Sequence, residues 1–587
     1  MNISRVKYLV KRVTESPFDF LLKKINVELN KKVLYRAGSA LLKAKLNKAE
    51  ISLQSKQSSS INPVLSNEQL SYLLTRVNAY KDKGYPCLGY GNVDIQSDET
   101  FHYDSIHDYK WNSNANSFDI DFVLSNITCD VKVPWEKSRL QWLVEKALLC
   151  TNGEWDINDV YSHLKLWSDQ NTFLKGVNWI SSMEVAIRLV NLAFVYLLVK
   201  ANEHHDLNSL LEQLIAKHDV YLELYPEISD IPGNHYLATE VGKIVVSYLK
   251  QQSYSEKVFN ELLIQQFPND GVQLEYSTVY HRLCVDLAVI GYLFISFDDM
   301  EKEVSERINR LVNSLSLISS KKGLLPIFGD SDSGQVLNFG QSSRSCNLYF
   351  DWRSKETAHT IYSAVLEQIG MRAIPKLTEE PSQKPFQELY PFLIMTKDSY
   401  KAVIRYGKAG LKERAPHDHD DMLSFWLFKG GDDIVLERGC APYTSDIRLR
   451  EEYLSSLSHN VIMNNSGTRA DFKSGSVFRT VEMGECSLLE QELSSVSLLY
   501  KDRDITHQRR FCLTEAGLTI HDSWKAEKGL LFTLYLSPYA ESDILNLDNI
   551  KKEQSCLIED YGNKSGTELN KLMLNLKNEG SLDFVIK

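Results

Sequence analysis

Residues 376–389 read KLTEEPSQKPFQEL, a polar stretch with prolines at 381 and 385. The hydrophobic period changes across it. Before it, segments 136–150, 181–200, 207–224, 235–252, 255–266, 277–296 and 300–319 place apolar residues three and four apart, the spacing of amphipathic or buried helices. Short turns with Pro, Asn and Gly separate them, such as Pro268-Asn269-Asp270-Gly271. After it, apolar residues alternate over 400–406, 424–428, 433–437, 477–483, 495–500, 509–513, 518–524 and 530–536, the period of half-buried strands. Many successive helices predict a helical solenoid or an (α/α) toroid, and no fixed-period repeat marks an open array. Many short strands with polar turns predict a β-sandwich. The chain therefore divides into a basic N-terminal extension and linker (1–60), a helical domain (61–385) and an antiparallel β-sandwich domain (386–587).

The composition is that of an ordinary globular protein, 43% apolar and 24% charged over 587 residues, enough for more than one core. A net charge of −11 argues against a nucleic-acid binder. A polyanionic ligand would have to be held locally, against the field of the whole chain. Nine scattered cysteines lack any CxxC, so neither a disulfide framework nor a thiolate metal site is expected. No run reaches the roughly 18 apolar residues of a membrane helix, and no apolar leader with a cleavage site opens the chain. The expected location is cytoplasmic or membrane-peripheral. Residues 1–50 carry 12 Lys/Arg against 4 Asp/Glu, leaving the rest of the chain near −19. Leu21, Leu22, Ile25, Val27 and Leu29 are interleaved with those lysines. Such a segment can lie on an anionic membrane surface, or pack on the domain as a basic helical extension.

The densest chemistry lies at His417-Asp418-His419-Asp420-Asp421, which runs into the apolar Leu423–Phe428. On a strand, alternation puts His417, His419 and Asp421 on one face. Glu437 on a following strand and His459 in Ser458-His459-Asn460 add a carboxylate and an imidazole. Two histidines and one carboxylate suit Zn²⁺ with its fourth position open, leaving His417 for chemistry. HxH by itself is common among ordinary surface and core-edge histidines. In the helical half, Gly233-Asn234-His235-Tyr236 opens a helix, where Asn234 serves as an N-cap or as a polar clamp at a helix mouth. The run from Asp270 to Arg282 brings Glu275, Tyr276, Tyr280, His281 and Arg282 to one turn-to-helix junction. A tyrosine there is a packing residue with a satisfied hydroxyl or, beside an Arg, a proton-transfer group. Glu184 and Arg188, four apart, read as a tie between helices, and GDSDSG at 329–334 as a loop lining a cleft.

Taken in order, WEKSR, NWISSMEVAIR, PGNHYLA, DGVQLEYSTVYHR, GDSDSG, HDHDDMLSF, LERG with Tyr443 and Arg450, and SHN resemble the heparinase II/III-like polysaccharide lyases. The resemblance runs from about Trp135 to the strands near Arg509 and Trp524. It implies an N-terminal (α/α) toroid followed by a C-terminal antiparallel β-sandwich, and an acidic polysaccharide as substrate. Carried over motif by motif, Asn234 would neutralise a uronate carboxylate with His235 beside it. Tyr280 would be the main proton-transfer residue and His417 the second. Glu275, Asp330, Tyr443 and Arg450 would bind substrate. His419, Glu437 and His459 would hold a structural Zn²⁺. Glu437 stands where the family usually has Asp, and Leu454 where an Arg is common.

The reaction so implied is β-elimination. Neutralising the carboxylate acidifies the uronate C5–H, a base removes that proton, and the C4–O bond breaks. The new end is a 4,5-unsaturated uronate. One alternative is an inverting glycoside hydrolase on the same toroid using Asp270, Glu275 or Asp330, which needs two separated carboxylates. Another is a non-catalytic carbohydrate-binding or polysaccharide-assembly protein.

Overall fold

The computed structural model describes residues 18–36, 38–54, 60–124, 126–202, 204–229, 231–353, 355–368, 372–380, 384–464, 467, 471–472, 478, 480–482, 484–538, 540, 544–545, 551–563 and 567–587. The first 17 residues of the basic extension and residues 55–59 of its linker lie outside them, as do 477, 479 and 483 of the expected 477–483 strand, whose Thr480–Glu482 forms a short strand paired antiparallel with Asp471–Phe472.

Among the described residues, thirteen α-helices of 7 to 20 residues precede the two large sheets: α1 (Phe18–Leu29), α2 (Ala40–Gln54), α3 (Asn67–Asp82), α4 (Lys132–Ser138), α5 (Gln141–Thr151), α6 (Ile157–Gln170), α7 (Ser182–Val199), α8 (His205–Leu224), α9 (Asn234–Leu249), α10 (Glu256–Gln266), α11 (Thr278–Phe294), α12 (Glu301–Ile318) and α13 (Thr357–Glu367). Side-chain oxygens start many of them. Ser66 and Gln69 form a capping box on α3, Asp156 caps α6, Ser255 caps α10 and Ser277 caps α11. Successive helices pack side by side to form the toroid, with α7 between α5, α8 and α9. Every residue of α7 is buried, as are all those of α11. With a mean hydropathy of 1.7, α7 is long and apolar enough to cross a membrane, but its whole length lies inside the core. The expected 136–150 helix is two helices, because Leu140 adopts a left-handed conformation (φ 61°) between α4 and α5.

The second half is antiparallel throughout its two sheets. The strands are β1 (Phe386–Leu389), β2 (Phe392–Lys397), β3 (Tyr400–Arg405), β4 (Phe425–Lys429), β5 (Asp432–Leu436), β6 (Ile462–Asn464), β7 (Glu485–Gln491), β8 (Ser495–Lys501), β9 (Ile505–Thr514), β10 (Gly517–Ala526), β11 (Leu530–Leu536), β12 (Ile544–Leu545), β13 (Lys551–Leu557), β14 (Thr567–Leu576) and β15 (Glu579–Ile586). One sheet runs β13-β14-β11-β5-β4-β3-β2-β1, with β6 also on β11; the other runs β7-β8-β9-β10-β15-β12. The alternation in β9 is literal: Ile505, His507, Arg509, Phe511 and Leu513 point inward, while the residues between them face outward or lie half-buried. The core between the sheets holds Phe425, Phe511, Leu518, Phe532 and Phe584.

The other face of the nine-stranded sheet packs on the helices. Trp426, Phe428, Leu436 and Tyr535 from the strands join the same apolar core as Phe328, Leu287 and Phe194 from the helical half. The helical core thus extends across the junction onto one face of this sheet, while the sandwich keeps its own core between the sheets.

Candidate active site

A cleft of about 470 Å³ opens where the toroid meets the sandwich, within the size range of ligand sites. Trp135, Met183, Asn234, His235, Glu275 and Tyr280 line it from the helices, and Leu411, His417, Tyr443 and Phe478 from the sandwich.

Asn234 is the first residue of α9, and Gly233 precedes it as the N-cap without a side-chain cap. The cap comes from elsewhere in the chain: Glu275 Oε1 accepts from the Asn234 backbone N–H at 2.8 Å, a carboxylate on the positive end of a helix. The other oxygen accepts from Asn234 Nδ2 at 2.7 Å, fixing the amide. Nδ2 carries two hydrogens, so one remains for a ligand. A Cβ at Gly233 would stand 2.2 Å from Glu275 Oε1, so only glycine leaves this carboxylate undisturbed. The side chain of Asn234 is therefore a clamp and not the N-cap. His235, next in the helix, is partly exposed, with Nδ1 3.9 Å from Glu227.

Tyr280 sits in the first turn of α11, placed by the Ser277 cap. Its ring stacks on His417 with centroids 4.1 Å apart and planes 17° from parallel. Its hydroxyl lies 3.1 Å from the hydroxyl of Tyr443. Burial pushes both phenols well above their ordinary value, so each stays protonated. His417 Nδ1 lies 2.9 Å from Asp330, and Nε2 lies 3.5 Å from Glu275.

Asp330 is the hub beneath the cleft. Its carboxylate takes hydrogen bonds from His417, from His419 Nε2 at 2.8 Å, and from both terminal nitrogens of Arg450. Burial alone would raise this carboxyl. Arg450 and the two histidines override it and hold the group well below the usual carboxylate range. Burial pulls His419 down to about 4, so it bonds Asp330 as a neutral ring. Asp330 and Arg450, expected to bind substrate, are 0% and 1% exposed and satisfy each other, so they support His417 from below. Glu275 and Tyr443, expected in the same role, do line the cleft.

The HDHDD stretch is a loop, and β4 begins only at Phe425. Leu423 in a left-handed conformation (φ 70°) turns the chain into the strand. Alternation therefore does not hold across it. His417 and His419 converge on Asp330, but Asp421 points elsewhere, into a group with Glu437 and His459 whose ligand atoms lie within 4.8 Å of one another. His419, expected as the third ligand beside Glu437 and His459, is engaged by Asp330, and its ring stands 5.3 Å from that of His459. Asp421 is the residue that stands beside Glu437 and His459. The even-numbered acids do separate work: Asp418 pairs with Arg405 at 2.7 Å, and Asp420 accepts from Ser456.

Several cleft groups went unmarked as site residues in the sequence. Lys132 pairs with Asp332 at 2.6 Å, and Arg139 grips Glu184 through two bonds of 2.8 Å. Lys132 and Arg139 hold the Asp332 carboxyl well below its usual range against the effect of burial. Glu184 had been paired with Arg188. That arginine instead donates to His218 and to the Asn178 carbonyl, and lies over Trp167 and Trp179. The motifs WEKSR, ISSME and GDSDSG, which supply these residues, were the available sequence signal for this network.

A helical toroid joined to an antiparallel β-sandwich, with a cleft built from both, is the class of molecule these features define. Residues 390–562 match the family model described as Heparinase II/III-like, C-terminal. Heparinase III is similar across nearly the whole chain, with a TM-score of 0.60 and 12% identity over 98% of this chain and 92% of that one. A second heparinase III structure gives 0.53 and 14%, covering 95% and 92%. No curated protein sequence matches. The chain thus resembles the heparinase II/III-like lyases in its whole fold, as its motifs implied.

Proposed function

We propose that this protein is a polysaccharide lyase that cleaves a uronic-acid-containing polysaccharide, glycosaminoglycan- or alginate-like, by β-elimination. The observation that carries the reading is Tyr280 stacked on His417 in a cleft that also presents the Asn234 amide. An acid, a base and a carboxylate-binding group from both halves of the molecule meet in one space. Asn234 Nδ2 and His235 would receive the uronate carboxylate and stabilise the charge that develops when C5 loses its proton. With Nδ1 held by Asp330, His417 offers the Nε2 lone pair to that proton. Tyr280, kept neutral by burial, suits donation to the departing O4, and the Tyr443 hydroxyl behind it can restore the proton.

The hydrolase alternative loses its carboxylates in this geometry. Asp270 pairs with Arg307 and Arg310, Asp330 is bound beneath the cleft, and Glu275 caps α9 and holds Asn234. The neighbouring acids Glu184 and Asp332 are each paired with a cation.

A structural divalent cation such as Zn²⁺ also belongs to the proposal, held by Asp421, Glu437 and His459. The residues fit it. Both carboxyls are fully buried and pushed well above the usual range by burial, Asp418 and Glu437 adding to the effect at Asp421 while Arg405 opposes it. Neither oxygen of Asp421 has a hydrogen-bond partner among the described residues, and Arg405 Nε stands 3.6 Å away. A cation would neutralise this charge and tie β5 to the loops before β4 and β6 that present His417.

The deciding experiment is absorbance of the unsaturated product at the ultraviolet edge, measured on a panel of uronate polymers. Growth of that band with at least one polymer, abolished by Tyr280→Phe, supports the lyase. New reducing ends without the band would support hydrolysis, and binding without cleavage an assembly or binding role.

A further inference from the structure

The basic N-terminal extension forms two helices on the outside of the toroid. One side of each is tied down. In α1, Val27 is buried, and in the π-helical turn Asn30–Leu34 that follows it Asn30 Nδ2 donates to the Leu224 carbonyl at 3.0 Å. In α2, Leu42, Ala49 and Leu53 are buried, and the helix packs along α8. The other side of each helix is apolar and bare. Leu22, Ile25 and Leu29 recur at three- and four-residue spacing along α1, and Val33 and Leu34 continue them. On α2, Leu41 and Ile51 are exposed ten positions apart. Ile25 is 57% exposed, Val33 63%, Leu41 53% and Ile51 65%. Of the 15 exposed large apolar residues among those described, seven fall between 22 and 51. A surface helix of a globular domain does not ordinarily turn its long apolar residues to water at this density.

The charge of the same segment is opposite to that of the molecule. Residues 1–50 have an excess of eight positive charges, on a chain whose total is −11. Lys23, Lys32, Lys43 and Lys48 are exposed beside the apolar residues, and Lys48 lies between Leu41 and Ile51 on one side of α2. An apolar stripe flanked by lysines, on helices lying along a surface, is the pattern of an interfacial amphipathic helix.

We propose that α1 and α2 form a docking surface for an anionic lipid membrane. The apolar stripe enters the boundary between headgroups and acyl chains, and the lysines meet the headgroup phosphates. The negative body of the protein is repelled by the same surface, so charge fixes the orientation with the helix pair inward. Residues 226–229 lie between α1 and the cleft: Lys23, Val27 and Glu227 line one hollow, and Glu227 and Ser229 also line the cleft. A docked molecule would therefore carry its cleft beside the surface, where a membrane-linked acidic polymer is accessible.

The test is co-sedimentation of the full chain with vesicles of phosphatidylcholine alone, and of phosphatidylcholine with phosphatidylglycerol. The expected result is roughly tenfold more bound protein on the anionic vesicles, lost as salt rises. Ile25→Ser with Leu29→Ser should abolish it, and so should Lys32→Glu with Lys48→Glu. All four positions are exposed, so both variants should keep the wild-type melting curve. Equal binding to neutral vesicles, or full binding by either variant, overturns the proposal. So does a wild-type dimer in solution that Ile25→Ser with Leu29→Ser converts to monomer, which would assign the face to a second copy of the chain.

Discussion

Tyr280 makes one side-chain hydrogen bond, to Tyr443, so removing its hydroxyl costs the fold about 1 kcal/mol. The same change removes the proposed proton donor, and a positioned acid is worth roughly 10² to 10⁴ in rate. Tyr280→Phe is therefore expected to melt within a few degrees of wild type and to lose elimination by about 10² or more. Near-normal turnover in a steady-state assay would take the role from Tyr280. Asp330 is the reverse case, a group whose partners are His417, His419 and Arg450 and which matters to the fold. Asp330→Asn leaves the Arg450 guanidinium buried without its counter-charge, a change that typically costs about 3–5 kcal/mol. The pH dependence follows from the lowered carboxyl. Its ionised form stabilises the fold above the unfolded value of about 3.9, and that contribution is lost as pH falls towards the folded value. The gap in melting temperature between wild type and Asp330→Asn should thus be widest near neutrality and shrink below about pH 4. A gap that grows in acid would contradict this account of the hub.

At the scale of elements, the junctions decide the site. Helix α9 begins where Glu275, 41 positions further along the chain, supplies its cap. Gly233→Ala would push the Glu275 carboxylate aside and release the Asn234 amide. Because the clash falls on the end of a side chain, we expect little loss of melting temperature and a fall in kcat/KM of roughly tenfold or more, the scale of a misplaced positioning group. Unchanged kinetics in Gly233→Ala would show that the Glu275–Asn234 clamp is dispensable. The loops before β4 and β6 converge on the proposed metal group in the same way. His459→Ala is expected to lower the bound metal from about one equivalent, by elemental analysis, and to lower the melting temperature with it. A wild-type protein purified without metal, and a variant of equal stability, would remove the cation from the proposal.

At the scale of the molecule, the helical core reaches onto one face of the nine-stranded sheet and joins the two halves. Trp426 and Phe428 from β4 pack into the helical cluster, with Trp426 edge-on to Phe328 at 6.3 Å. Separating residues 61–385 would expose that face and remove His417 and Tyr443 from the cleft. The isolated piece should be inactive and prone to association, and the intact chain should unfold in one calorimetric transition. Two resolved transitions would show that the shared core does not couple the halves.

What the sequence determined by itself was whatever depends on neighbours in the chain. The helices from 182 to 318 and the strands from 400 to 536 fall close to where hydrophobic period placed them, because burial of one face is a local pattern. Asn234, Tyr280 and His417 were legible as chemistry because each stands in a short motif with an unusual density of polar groups. The tertiary structure decided which of those groups meet. Asp330 was legible as a cleft acid and a candidate substrate ligand but not as the partner of His417, His419 and Arg450, which lie 87 to 120 positions away. That Asp421, and not His419, lies beside Glu437 and His459 could not be read from the sequence, because the stretch is loop until Phe425 and a loop carries no fixed period. The amide of Asn234 was freed for a ligand because a distant glutamate caps its helix. Charge pairing and capping act through space, so they are set by how the halves pack and not by any spacing along the chain.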